Sequence, residues 1–388
     1  MEYRRFGKLD WKVSALGFGA MRLPIIGEDR SKIDKAEATN MLHYAIDHGV
    51  NYVDTAYPYH DGNSESFLGR ALQGGYREKI KLATKLPCWL VKTADDFDKY
   101  LNEQLQRLQT EHVDFYLLHG LNGTHWPEMR DMGIMERAEK AIDDGRIGHI
   151  CFSFHDKYEV FKEIIDGYDK WTMSQIQHNY MDIENQAGTK GLRYAASRGL
   201  AVVIMEPILG GRLVDPPRTV QALWDRAPQR RTPADWALQW LWNQPEVSVV
   251  LSGMSAMQHV KENVASAAAS GIGTLSEEDL ALIDRVRDKY DELCPIPCTN
   301  CEYCMPCPNG VNIPRNFELY NHGLMYDKPD FSRQAYNGWF AEAERANQCI
   351  QCRECEPKCP QSIPISEWMP LVHKVLGEGE SYETCRLP

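Results

Sequence analysis

Asn51-Tyr52-Val53-Asp54-Thr55-Ala56-Tyr57-Pro58-Tyr59 opens as a strand and closes as an aromatic loop, with a carboxylate at the junction. The β-branched and aromatic residues at 50–53 suit a buried strand. Two later stretches end in the same way. Ile80-Lys81-Leu82-Ala83-Thr84 runs into Lys85, and Val113-Asp114-Phe115-Tyr116-Leu117-Leu118 runs into His119. In a parallel α/β barrel the carboxyl ends of the strands share one mouth, so residues distant in sequence meet there. Asp54, Tyr59, Lys85 and His119 are then expected to form one constellation.

Outward from these strands the chain alternates apolar runs with amphipathic stretches. The pattern predicts strands at 14–18, 50–54, 80–85, 113–118, 147–153, 172–177, 201–205 and 247–251. It predicts helices at 36–48, 64–73, 96–109, 131–144, 156–166, 186–198, 232–243 and 256–268. Phe97, Leu101, Leu105 and Leu108 show the helical period of a single buried stripe. Eight such units favour an α/β fold of the closed (β/α)8 TIM-barrel type over an open sheet. No G-x-G-x-x-G follows an early strand, which weighs against a dinucleotide domain of the doubly wound kind. A short hairpin is expected before the first barrel strand, and a further helix over roughly 276–290 after the last.

At 388 residues there is room for a large barrel and a small second domain. A net charge of -12 argues against nucleic acid or an anionic membrane surface as a partner. The first residues lack the apolar core of a signal peptide and no apolar run is long enough to span a bilayer, so the expected location is the cytoplasm. Of 12 cysteines, ten lie between Cys294 and Cys385. Dense cysteines in a reducing compartment read as metal ligands rather than disulfides. The composition changes at Cys294-Pro295-Ile296-Pro297-Cys298, which cannot continue a helix. The expected domains are therefore 1–293 and 294–388. The segment after Gly377 is expected to be loose.

Within the second domain the cysteines fall into two runs. Cys298, Cys301, Cys304 and Cys307 are each separated by two residues, and Cys349, Cys352, Cys355 and Cys359 follow x2, x2, x3 spacing; a proline follows each run. The second run has the spacing of bacterial ferredoxins, where the fourth cysteine of each run ligates the other cluster. That implies one 4Fe-4S cluster on Cys298, Cys301, Cys304 and Cys359, and a second on Cys349, Cys352, Cys355 and Cys307. Tetrahedral zinc on paired C-x2-C units is the competing reading. Helical segments between the runs are expected around 316–320 and 341–344. Cys294 and Cys385 read as free thiols, Cys88 and Cys151 as packed ones.

Asp54, Tyr59, Lys85 and His119 resemble the catalytic tetrad of the aldo-keto reductases. Similar too are Leu16-Gly17-Phe18-Gly19-Ala20-Met21-Arg22-Leu23, Tyr116-Leu117-Leu118-His119 and the late Glu262-Asn263. The likeness covers about residues 1–290. It implies NAD(P)H-dependent reduction of an aldehyde or ketone. Lys85 would lower the pKa of Tyr59, the proton donor. Asp54 would hold Lys85, and His119 would orient the carbonyl. Tyr57 competes with Tyr59 on position alone, and the family spacing favours Tyr59. The resemblance also implies a cofactor groove of Gly19, Met21, Ser153, Gln175, Met205, Gly210, Gly211, His259, Glu262 and Asn263, with the glycines approaching the pyrophosphate. Gly253 and His259 stand where well-studied members place basic residues for a 2′-phosphate. A neutral imidazole is the weaker clamp, so NAD and NADP both stay open. Phe154-His155 follows Ser153 where an asparagine is common. Trp89, Trp126 and Asn122 are expected in mouth loops.

A barrel of this kind with a ferredoxin-like tail resembles a bacterial and archaeal subgroup of the family. The clusters imply a one-electron redox partner protein or a redox-sensing role. The alternative is a nucleotide-binding electron-transfer or regulatory protein that does not turn over carbonyls.

Overall fold

The computed structural model describes residues 1–298, 300–385 and 387. An antiparallel hairpin, β1 (Tyr3–Arg5) with β2 (Lys12–Ser14), comes first. Eight parallel strands then close on one another: β3 (Leu16–Gly19), β4 (Tyr52–Asp54), β5 (Lys81–Leu86), β6 (Val113–Leu121), β7 (Ile147–Phe154), β8 (Met173–Gln177), β9 (Ala201–Met205) and β10 (Val249–Ser252). Pairing of β10 with β3 completes the ring. The eight expected strands and the helices between them are all present, shifted by a few residues at their ends. Two short helices were not anticipated, His125–Asp131 and Arg218–Trp224.

Side chains alternate across each strand, and here the alternation sorts two cores. Tyr52, Ala83, Phe115, Leu117, Cys151, Met173, Ala201, Val203, Val249 and Leu251 form the inner cluster. Val53, Leu82, Tyr116, Leu118, Ile150, Phe152, Ile176, Val202, Ile204 and Val250 pack outward in the larger cluster with the helices. Phe6 of the hairpin loop joins the inner cluster, its ring centroid 4.8 Å from that of Phe115. Gly7 permits this approach: its φ is +54°, and a Cβ would sit 2.5 Å from the Ala201 nitrogen.

By contact the chain parts into two compact units. One is Met1–Gly210 with Ala234–Glu277; the other is Gly211–Pro233 with Glu278–Pro388. The helix expected near 276–290 runs Glu277–Glu292. The second unit has its own apolar core, including Ile296, Val311, Phe317, Tyr320, Trp368 and Met369. Its helices Ile313–Met325, Pro329–Gly338 and Ile365–Leu376 carry most of that core. Residues 316–320 lie inside the first of them, whereas 341–344 form only a 3-10 turn, Glu342–Glu344. The expectation of a loose segment after Gly377 is corrected: Tyr382 and Cys385 are buried, and the Tyr320 hydroxyl donates to the Cys385 carbonyl at 2.6 Å. Among the described residues no helix is long and apolar enough to cross a membrane.

Candidate functional site

The inward parity of the strands carries on to their carboxyl ends. Two residues beyond Tyr52, Ala83 and Leu117 stand Asp54, Lys85 and His119, so the positions that build the inner core also deliver the polar groups. Lys85 is fully buried. Its Nζ donates to Asp54 Oδ1 and to the Thr55 carbonyl, each at 2.7 Å. The Lys85 Nζ lies 5.0 Å from the centroid of the Tyr59 ring. The Tyr59 and His119 rings meet edge to face, with centroids 6.2 Å apart. Around His119 and Gly120 (φ 65) the β6–β7 register shifts, a bulge of the kind that re-aims a side chain.

Burial and charge set the protonation of this group. Burial works against the Lys85 ammonium, but Asp54 and Tyr59 outweigh it and hold its pKa above the ordinary value. Burial depresses His119 well below its ordinary value, and the nearby Lys85 adds to this, so the imidazole is neutral. The expected lowering of Tyr59 is corrected: burial pushes the phenol up from its ordinary value, and the pull of Lys85 offsets this only in part. Tyr59 therefore holds its proton firmly. Tyr57 points elsewhere, its hydroxyl 3.3 Å from Glu103 Oε1 and its ring stacked on Arg107 at 4.3 Å.

Behind Lys85 lies a buried polar network that sequence reasoning missed. Thr84 Oγ1 and Gln104 Nε2 both donate to Glu65 Oε1 at 2.6 Å, and Arg107 reaches Glu65 Oε2 at 3.3 Å. Gln104 Nε2 also donates to the Lys85 carbonyl at 3.0 Å, while Tyr116 donates to Gln104 Oε1 at 2.7 Å. Burial raises the Glu65 pKa against these partners.

Of the residues of the expected cofactor groove, Gly19, Ser153, Gln175 and Met205 lie on barrel strands. Gly19 pairs with Asp54, and Ser153 with Gln175, in the strand register. Ser153 Oγ accepts from the Gly120 N–H at 2.8 Å, leaving its own hydrogen to donate. Gln175 Nε2 lies 3.8 Å from Met205 Sδ, and its buried Oε1 finds no partner among the described residues. A carboxamide, with one acceptor and two donors, fits that pair of groups. Met21 is exposed, and Gly210 (φ 66) and Gly211 (φ 100) have left-handed backbone. Asn263 Nδ2 donates to Ser252 Oγ at 3.0 Å; Glu262 accepts from Gln258 at 2.7 Å; His259 is exposed on the same helix, Met257–Ala268. Arg22 pairs with Glu206 at 3.6 Å, a contact no motif announced. Trp89 lies 5.1 Å from the His119 ring, at the mouth. Trp126 does not: it is buried in the outer core on the helix His125–Asp131, which Asn122 caps by accepting from the Thr124 and His125 N–H groups.

In the second unit the cysteines gather into two sets. Cys298, Cys301, Cys304 and Cys359 line one open concavity. Cys307, Cys349, Cys352 and Cys355 line another. These are the two crossed sets that the spacing implies. Among the described residues no three His, Cys, Asp or Glu side chains are grouped as a single metal ion requires. Two crossed sets of four cysteines in runs with ferredoxin spacing suit multi-atom clusters better than zinc. Burial raises the Cys304 and Cys355 thiols to about 11, so metal ligation there would displace a proton from each. No cysteine among the described residues is in a disulfide.

A closed parallel barrel with polar groups gathered at its strand ends, joined to a unit with two cysteine-lined concavities, defines a barrel oxidoreductase bearing a 4Fe-4S domain. The aldo/keto reductase family model matches residues 15–288, and a model described as 4Fe-4S dicluster domain matches 297–363. The chain belongs to the aldo/keto reductase family. Among characterised relatives it is 25% identical to L-galactose dehydrogenase of Arabidopsis thaliana, over 76% of this chain and 96% of that one. It is 29% identical to the uncharacterized oxidoreductase YrpG of Bacillus subtilis, over 55% of this chain and 68% of that one. The solved structure of the holo form of aldo-keto reductase AKR11C1 from Bacillus halodurans superposes with a TM-score of 0.62 at 26% identity, over 74% of this chain and 96% of that one. An aldo-keto reductase from Klebsiella pneumoniae in complex with NADPH gives a TM-score of 0.59 at 25% identity, over 74% and 95%.

Proposed function

We propose that the protein is an NAD(P)H-dependent oxidoreductase that reduces an aldehyde or ketone, with Tyr59 as proton donor. In this reading clusters in the second unit exchange single electrons with a partner protein or report redox state. The observation that carries the barrel's part is the wholly buried Lys85 ammonium, bonded to Asp54 and set against the Tyr59 ring. Bound nicotinamide dinucleotide supplies the hydride. Asp54 keeps Lys85 charged and fixed. Lys85 stabilises the phenolate left on Tyr59 once its proton has passed to the substrate oxygen. Neutral His119 presents a ring N–H to that oxygen and orients it. Ser153 and Gln175 hold the carboxamide, and the left-handed turn at Gly210 and Gly211 can bring backbone N–H groups close to the diphosphate. Neither Gly253 nor the exposed His259 is a fixed cation for a 2′-phosphate, so the dinucleotide is taken as NAD or NADP. By cofactor, the division falls at 293/294: a barrel for the dinucleotide, and a ferredoxin-like domain for two clusters. Dense cysteine ligation suits a reducing compartment, and the reaction is placed in the cytoplasm.

Tyr59→Phe tests this reading. Carbonyl-dependent oxidation of NAD(P)H is expected to fall by on the order of 10²- to 10⁴-fold, the range for a lost general acid, with iron content unchanged. Retained turnover would refute the role of Tyr59. Tight nucleotide binding without hydride transfer to any carbonyl would mark the barrel as a binding module for an electron-transfer or regulatory protein.

A further inference from the structure

The two cysteine loops of the second unit repeat one backbone design. Cys298, Cys301 and Cys304 on one and Cys349, Cys352 and Cys355 on the other keep the same spacing. Asn300 (φ 55) and Glu302 (φ 62) flank Cys301 in the left-handed region, and Gln351 (φ 58) and Arg353 (φ 65) flank Cys352 in the same way. The Gln351 N–H donates to Cys349 Sγ at 3.4 Å, and the Asn300 backbone serves Cys298 likewise. With backbone and sulfur hydrogen bonding matched, the contrast lies in the side chain after the middle cysteine. It is a carboxylate in one loop and a guanidinium in the other.

Glu302 lines the concavity of Cys298, Cys301, Cys304 and Cys359. Arg353 lines that of Cys307, Cys349, Cys352 and Cys355. Glu318 also acts at Cys298 but is itself paired with Arg315 at 2.7 Å, and Glu356 acts at Cys349 and Cys355; Arg353 lies 4.0 Å from Glu367, an exposed pair, so the contrast rests on the two lining side chains alone. Glu354 and Lys358 line neither concavity. Ile313 and Ile365 line both, which makes the two sites neighbours across a pair of aliphatic side chains.

We propose that Glu302 and Arg353 set the direction in which an electron passes between the two sites. The proposal rests on reading the cysteines as ligands of two clusters. Reduction adds negative charge to a thiolate-bound cluster. A nearby guanidinium stabilises that charge and a nearby carboxylate opposes it. The Cys349 site therefore has the higher potential. The step is one electron: the Cys298 site is oxidised by one unit, the Cys349 site is reduced by one unit, and no bond or proton changes hands. An electron delivered to either site comes to rest beside Arg353.

The test is an EPR-monitored potentiometric titration of the full chain, prepared anaerobically and counted for iron and acid-labile sulfide. Two reduction steps are expected. Arg353→Gln should lower the upper step alone, by about tenfold in the reduced-to-oxidised ratio at fixed potential, which is about 59 mV for one electron. Arg353→Lys should restore it, because the charge is kept. Glu302→Gln should raise the lower step alone, and the exchange E302R/R353E should reverse the order. Coincident steps in the parent protein, or variants that move neither step or the same step, would overturn the proposal. Missing sulfide, or zinc in place of iron, is a different result and would remove the cluster reading itself.

Discussion

His178 directly follows β8 and is fully buried, with its ring centroid 5.1 Å from that of Trp240. Burial lowers its pKa from 6.5 to about 4. The unfolded chain takes up that proton at the higher pH and the folded chain only at the lower. Between those values the unfolded state binds more protons, so stability falls as pH drops from about 6.5, and this contribution is gone below about 4. A shift of that size corresponds to about 3 kcal/mol. His178→Asn cannot titrate, and urea midpoints followed by tryptophan fluorescence at pH 7 and pH 4.5 should fall less steeply than in the parent. Equal slopes would mean that His178 is charged or solvated in the fold. His119 is held neutral by the same burial, with Lys85 contributing, and titrates in both proteins, so the difference isolates His178.

At the scale of elements, the helices Asn63–Ala71 and Asp95–Leu108 show what the pattern of residues reveals and what it conceals. A Cβ on Gly69 would sit 2.5 Å from the Arg107 carbonyl oxygen and 2.7 Å from the Leu108 carbonyl carbon, so only glycine allows these two backbones to approach. Gly69→Ala is expected to destabilise the barrel by about 1–3 kcal/mol through overpacking. Since the same pair carries the Glu65–Arg107 contact and the Gln104 bond to the Lys85 carbonyl, turnover should fall with stability. Gly338→Ala, which meets open space, is the control and should leave the melting temperature nearly unchanged. The helices and the strand-end tetrad were legible because apolar period and strand termini are local signals. The network was not, because an apolar stripe reads Gln104 between Leu101, Leu105 and Leu108 as a polar interruption. Its value appears only when the helix meets Glu65 and the strand of Thr84 and Lys85. The phenol's raised pKa was hidden for the same reason: charge partners can be named from spacing, whereas burial is a property of the packed mouth.

Across the whole molecule the two units are held in different ways. The barrel closes through strand ladders and two apolar clusters, whereas residues 297–312 contain no helix or strand among those described. The crossed cysteine sets could be read from spacing because ligand geometry is written in short intervals of chain. The helix Ile365–Leu376 and the buried Tyr382 could not, since their partners lie in the distant core of the same unit. Asn300, Glu302, Gln351, Arg353 and Ser362 all hold left-handed backbone without being glycine. Such positions cost about 1–3 kcal/mol each and persist only when their surroundings over-determine them. Loops so poor in ladders need bonds from elsewhere, and thiolate ligation of clusters would supply them. Removing iron with a chelator under anaerobic reducing conditions should therefore expose 298–307 and 349–362 to limited proteolysis. The helices Ile313–Met325 and Ile365–Leu376 should be cut more slowly, because their shared apolar core does not involve the metal alone. Carbonyl turnover by the barrel is expected to persist. Cleavage at the same rate before and after chelation would show that the loops keep their shape unaided.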